Sequence, residues 1–126
     1  MKIPYDTSFI PPAPFLEIQL GAPDAAFAIG PVRAFVDTGA DVSIVPLRYL
    51  EPLYLQADNR KFLRSSWGER RLVDVYFLDV AVGNRRLPLV EIIADERGDE
   101  MILGRNLLNK LMLILNGPNL ILELDV

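Results

Sequence analysis

Hydrophobic and polar positions alternate with a period of two through much of this chain. In "FLEIQL" (15–20), Leu16, Ile18 and Leu20 fall on one side and Phe15, Glu17 and Gln19 on the other, as in a half-buried strand. The turn-rich "GAPDAA" separates it from "PVRAFV" (31–36), a second strand that runs into an acidic turn. "SIVP" (43–46) is a short strand stopped by Pro46, and "LRYLEPL" predicts at most a helical turn or two. From residue 60 comes another strand, then a break at "SSWG" (65–68), then the long apolar run "RLVDVYFLDVAV" (71–82). Gly83-Asn84 turns the chain, and "LPLVEIIA" (87–94) brings it back. Two β-type runs about a break predict a projecting hairpin with its tip near Trp67-Gly68. Asp74 and Asp79 interrupt the long run on opposite faces. With no partner visible in the sequence, they read as edge or solvent-facing charges.

"DERGDE" (95–100) reads as a solvated loop, "MILG" as a short strand, and "RNLLNKL" as a short helix with Leu107, Leu108 and Leu111 on one face. The remainder, "LMLILNGPNLILELDV", predicts a C-terminal hairpin about "NGPN". Its last strand places Leu120, Leu122, Leu124 and Val126 on one face. Its first, Leu111 to Leu115, is apolar on both faces, so something has to cover both. Residues 1–14 hold four of the ten prolines and read as an extended proline-rich arm, leaving 15–126 as one domain. The sum is mostly β, with one clear short helix.

Composition narrows the chemistry by exclusion. The 126 residues contain no Cys and no His, which removes disulfides, thiol nucleophiles, Ser-His triads and the usual zinc sites. The net charge of −4 argues against nucleic acid as the main partner, since "GERR" and "GNRR" are too short to form a basic stripe. No apolar run reaches the ~18 residues of a membrane span. "MKIPYDTSFIPPAPF", broken by Pro and Asp, is not a signal peptide, and Met1 reads as the start of a complete product. The expected compartment is the cytoplasm.

The acidic turn in "AFVDTGADVSIVP" (34–46) is the unusual feature. It drives Asp37 into apolar β-structure, where an unpartnered charge is costly. Gly39 permits a tight turn and close approach of another backbone. Thr38 offers hydrogen bonds that hold the loop, and Asp37 projects from the end of a strand rather than from a loose tip. On the turn alone, an Asx-turn in which Asp37 merely caps the backbone fits equally well.

A second motif changes that balance. "FVDTGADVSIVP" followed by "MILGRNLL" (101–108) resembles the retropepsins, the single-domain aspartic proteases of retroviral type, over roughly residues 15–125. The resemblance implies an all-β, single-domain, closed acid-protease barrel with one short C-terminal helix and a flap hairpin. It implies an aspartic endopeptidase in which Asp37 is catalytic and Thr38, Gly39 and Arg105 support the loop. Gly39, Ala40, Asp41, Trp67 and Gly68 would meet an extended peptide or protein substrate, with Arg105 bridging to Asp41 and Trp67-Gly68 at the flap tip. The flap is poorer in glycine than retroviral flaps, and a partly buried core residue is the alternative for Trp67. Val42, Ile44, Val90 and Ile92 are candidates for apolar pocket walls, so hydrophobic residues beside the cleaved bond are expected.

Carboxylate-driven peptide hydrolysis needs two carboxyl groups sharing one proton, as in this class. The chain has one Asp-Thr-Gly; Asp6 in "YDTS" lacks the Gly and reads as loop. The second carboxylate is therefore expected from Asp37 of another copy, in a homodimer with the site on its two-fold axis. No metal or cofactor is implied. The strand after "NGPN" departs from the retroviral enzymes and is more like the retropepsin domains of cellular DNA-damage-inducible-type proteins, whose C-terminal hairpin joins the dimer sheet. The alternative from another class is a non-catalytic dimeric peptide-binding or scaffold domain of the same fold.

Overall fold

The chain begins in a strand, β1 (Lys2–Pro4), whose partner lies at the opposite end of the sequence. β1 pairs antiparallel with β10 (Ile121–Leu124), and β10 pairs with β9 (Leu113–Asn116), giving a three-stranded sheet in the order β1-β10-β9. The computed structural model describes residues 1–65 and 67–125. The arm is further fastened by Asp6, which bridges to Ala13 and forms an ion pair with Arg33. The Ser8 hydroxyl, and after it Arg33, holds the Asp6 carboxyl down at about 2. Asp6 serves the arm.

The second sheet closes on itself. β2 (Phe15–Gly21) pairs with β3 (Ile29–Val36), and the order continues through β8 (Ile102–Leu103), β4 (Ser43–Pro46), β7 (Arg85–Asp95) and β6 (Arg70–Val82). β6 then pairs back onto β2, so six strands form a closed, mixed barrel in which β3–β8 and β4–β7 are parallel. Closure removes the sheet edges that would otherwise template association. The two-residue alternation now has its cause: Leu16, Ile18 and Leu20 of β2 point inward with Val36, Leu78, Val80, Val90, Ile92 and Leu103 to form one core. α1 (Leu47–Leu50) and α2 (Arg105–Leu108) are single turns that add Leu50, Leu107 and Leu108 to it. No helix among the described residues is long and apolar enough to cross a membrane.

β5 (Asn59–Arg64) stands outside the ring and pairs only with the first half of β6, which makes the projecting hairpin. Its inner face, with Leu63, Val73 and Val75, packs in a small cluster with Val42, Ile44, Phe77 and Ile93.

Three sequence expectations change. Asp79 does not face solvent: it is 1% exposed. Asp79 stands between the core residues Leu78 and Val80, at the place where the register of β6 against β7 shifts, and it is covered by the N–H groups of Asp24 and Leu89 and the guanidinium of Arg86. Leu120 does not share a strand face with Leu122 and Leu124; at φ 53° it closes the turn after Gly117, its N–H on the Gly117 carbonyl. Val126 lies outside the described residues. Val90 and Ile92 are 1% exposed in the barrel core and cannot line a cleft, whereas Val42 and Ile44 stay partly open. The two-faced apolar strand is real. Met112, Ile114 and Leu115 are all exposed on and beside β9, the edge of its sheet.

Candidate active site

The acidic turn leaves the barrel where β3 ends and is gripped from below. The Asp37 N–H donates to the Leu103 carbonyl at 3.0 Å, extending the parallel β3–β8 pairing by one residue. The Gly39 N–H donates to Asp37 Oδ1 at 3.0 Å, and the Ala40 N–H to the Asp37 carbonyl at 3.2 Å. The Asx-turn is therefore present. It uses one carboxylate oxygen and leaves Oδ2 with no hydrogen-bond partner among the described residues. Asp37 is thus a half-buried carboxylate at a strand end, with one oxygen fixed by Gly39 and one open.

The start of α2 holds the other side of the loop. The Arg105 N–H donates to the Ala40 carbonyl at 2.8 Å and the Asn106 N–H to the Asp41 carbonyl at 3.3 Å. The Arg105 guanidinium spans both limbs of the turn: Nη1 donates to the Thr38 carbonyl at 2.9 Å and Nη2 to the Asp41 carboxylate. Thr38, Gly39, Ala40, Asp41 and Arg105 are thus assembled in one place. Asp41 itself is largely exposed.

Two residues that carry no sequence signal complete the grip. Ser43, fully buried, accepts the Gly104 N–H at 3.0 Å and donates to Asn106 Oδ1 at 2.9 Å. The Asn106 amide then donates to the Glu91 carbonyl at 2.8 Å, tying β4, α2 and β7 together directly beneath the loop. A serine in a short strand and an asparagine in a helical turn are unremarkable in sequence; only the crossing of three elements makes them a strut.

Gly104 is where the two motifs cross. A Cβ there would sit 2.2 Å from the Val42 carbonyl oxygen and 2.5 Å from its carbon. The φ of −91° is ordinary, so close backbone approach excludes a side chain. Gly104→Ala is expected to destabilise the fold by about 3 kcal/mol or more, because the obstacle is backbone and cannot rotate away. Urea unfolding checks this; a midpoint equal to that of the parent would show that the crossing loosens at no cost.

Trp67 and Gly68 are not brought to this cluster. They form the hairpin tip, where the Gly68 N–H donates to the Ser65 carbonyl at 3.0 Å and the Trp67 N–H to Ser65 Oγ at 3.3 Å. Trp67 is 91% exposed, so it is not a core residue. Gly68, at φ 84°, takes the left-handed turn position that glycine accepts most readily. A groove of about 820 Å³ lies elsewhere, between the arm and the outer faces of β2 and β3, and Asp37 does not line it. The Asp37 site in one chain is an open ledge.

The family described as gag-polyprotein putative aspartyl protease matches residues 24–110, which include both the acidic turn and the Gly104 segment. Curated proteins yield no match. Among solved structures, the crystal structure of a retropepsin-like aspartic protease from Rickettsia conorii superposes with a TM-score of 0.69. That alignment covers 98% of this chain and 88% of the other at 15% identity, a likeness of fold. With a retropepsin-like barrel and a family match across most of its length, the chain belongs to the gag-polyprotein putative aspartyl protease family.

Proposed function

We propose that this protein is an aspartic endopeptidase that acts as a homodimer. The observation that carries the reading is Asp37 itself, with one carboxylate oxygen pinned by Gly39 and the other open, on a loop anchored by Leu103 and Arg105. Across a two-fold axis, Asp37 meets Asp37 of the partner subunit. Like charges that close share one proton. The ionised carboxylate takes a proton from a water molecule as the water oxygen attacks the peptide carbonyl carbon. The protonated carboxyl donates to the carbonyl oxygen, giving a tetrahedral diol. Its collapse breaks the C–N bond, with the proton delivered to the leaving nitrogen. Two carboxyl groups and water suffice, so no metal or cofactor enters this reading.

The open ledge and the exposed β9 edge both support association. Ile114 is 53% and Met112 67% exposed, an apolar surface of the kind a second copy covers. Substrate would lie extended between the Asp37 floor and the hairpin, pairing its backbone with Gly39, Ala40 and Asp41 below and with the Trp67-Gly68 tip above. Val42 and Ile44 would face its apolar side chains. The cytoplasm is the compartment we assign to this activity. Digestion of a proteome-derived peptide library by the wild type, compared with Asp37→Asn, tests the reaction. Equal cleavage by both, or by neither, would overturn it.

Arg105 is a positioning residue in this scheme. Arg105→Ala is expected to loosen the Asp37 loop by removing its bonds to Thr38 and Asp41 in the same chain, and through that loop to weaken the dimer about tenfold and remove activity at low protein concentration. Arg105→Lys should recover little, because a single ammonium cannot hold the Thr38 carbonyl and the Asp41 carboxylate together. Sedimentation run alongside dilution assays separates the two effects. Unchanged dissociation and activity in both variants would show the bridge to be incidental.

A further inference from the structure

The hairpin that bears the flap tip is strongly basic in a chain that is otherwise acidic. Residues 59–71 hold five of the thirteen Lys and Arg residues and only one of the seventeen acids. In sequence these charges form two short, separate groups; pairing of β5 with β6 brings Arg64 of one beside Arg70 of the other, while Lys61 and Arg71 lie on the opposite face in ion pairs with Glu91 and Asp95. The register places Arg64 opposite Arg70, Phe62 opposite Leu72 and Arg60 opposite Asp74, all on the face turned away from Val73 and Val75. Arg60 is answered by Asp74, with Nε donating at 3.0 Å. Arg64 and Arg70 have no carboxylate partner among the described residues. Like charges directly opposite on a ladder repel and cost stability. The Arg70 guanidinium lies 4.4 Å over the Phe62 ring, and Phe62 and Leu72 are 59% and 51% exposed. Beside the Arg64–Arg70 pair stands Trp67, almost fully in solvent. The face combines uncompensated cations, apolar area and an exposed aromatic side chain.

We infer that this outer flap face docks an acidic stretch of the protein substrate, several residues away from the cleaved bond, with Arg64 and Arg70 as its principal charges. The inference rests on the protease reading for the identity of its occupant. Charge complementarity selects the occupant. An anionic segment relieves the Arg64–Arg70 repulsion, while its apolar residues cover Phe62 and Leu72. Residues close to the cleaved bond meet Val42 and Ile44, so the two demands act on different parts of one peptide. A single-stranded oligonucleotide is the competing anion, because it would use the same arginines and stack on Trp67.

Trp67 is the chain's one tryptophan, so its fluorescence reports on this face directly. The full chain carrying Asp37→Asn would be titrated with peptides that share an apolar centre and differ only in flanks of Asp/Glu, Asn/Gln or Lys. The acidic peptide is expected to bind about tenfold more tightly than the neutral one at low salt, the size of two exposed ion pairs. That advantage should fade at ionic strengths where the Debye length falls to about 3 Å. Arg64→Gln/Arg70→Gln should bring the two affinities together. Arg64→Glu/Arg70→Glu should instead prefer the Lys-flanked peptide, a gain that a misfolded variant cannot show. Arg85→Glu, at the far end of β7, should keep the acidic preference. Equal affinity for all peptides, no binding of any, or tighter binding of an oligothymidylate than of the acidic peptide would each overturn the inference. Wild-type hydrolysis of the same peptides is read separately. Acidic peptide bound but never cut would retain this surface and sink the protease reading; cutting without flank preference would do the reverse.

Discussion

Asp37→Asn should abolish peptide hydrolysis, lowering kcat by about 1,000-fold or more, while leaving the fold and the dimer intact. The substitution is nearly isosteric, and the amide oxygen can still accept the Gly39 N–H that now goes to Oδ1. What the amide cannot do is take a proton from water or hold the shared one, and general acid–base catalysis contributes about 10²–10⁴-fold. A mixing experiment gives a sharper outcome. If each active site draws one Asp37 from each of two chains, an excess of the Asn variant must poison the wild type through heterodimers. At equal amounts and random association, the activity per wild-type chain should fall to about half. Activity that stays proportional to wild-type chain at every ratio would show that one chain suffices, contrary to the two-fold scheme.

The second large effect is expected far from Asp37, at Asp79. Burial alone would raise this carboxyl. The N–H groups of Leu89 and Asp24 and the Arg86 side chain outweigh that, and hold it below the usual 3.8. Asp79→Ala would remove a buried carboxylate that accepts from two part-buried N–H donors and from the Arg86 guanidinium, a loss of about 3 kcal/mol. For a domain of this length that corresponds to a melting temperature lower by about 10 °C. Asp79→Asn should be nearly as damaging, because its amide nitrogen would face donors. The sign of the pH dependence follows from the depressed value. The stabilisation is complete above the unfolded carboxylate's value of ~3.9 and is lost as pH falls through the lower value of the folded state. The wild type should therefore lose stability below about pH 4 more steeply than either variant, and the curves should converge in acid. Parallel curves, or a variant within about 0.5 kcal/mol of the wild type at neutral pH, would mean that the bulge repacks around its missing acid.

Local pattern was enough to locate most strands, the Trp67-Gly68 turn and the two glycine-bearing motifs. Each is written in residues a few positions apart, where pleat, turn and steric preferences act. Leu16, Ile18 and Leu20 had to share a face whatever they packed against. Pairing between distant segments is not written that way. β1 was invisible because three residues have no period and their partner is at the other end of the chain. Asp79 read as solvent-facing because the groups that bury it, the Asp24 and Leu89 N–H groups and Arg86, come from other segments of the chain. Val90 and Ile92 looked equally suited to a cleft or a core until the closing of the barrel put them inside.

The candidate site divides along the same line. Turn chemistry in the sequence pointed to Asp37, Thr38 and Gly39, because the residue types that make a tight acidic turn are few, and the resemblance to the retropepsins added Ala40, Asp41 and Arg105. Only the tertiary structure decided how Arg105 reaches both limbs of that turn, why Gly104 can carry no side chain, and that Ser43 and Asn106 lock three elements beneath it. It also decided that Arg64 and Arg70, from two separate basic groups, meet on one face. The physical reason is common to all of these. A turn's chemistry is set by neighbours along the chain, whereas hydrogen-bond satisfaction, steric exclusion and charge adjacency depend on which distant backbones folding brings within a few ångströms of one another.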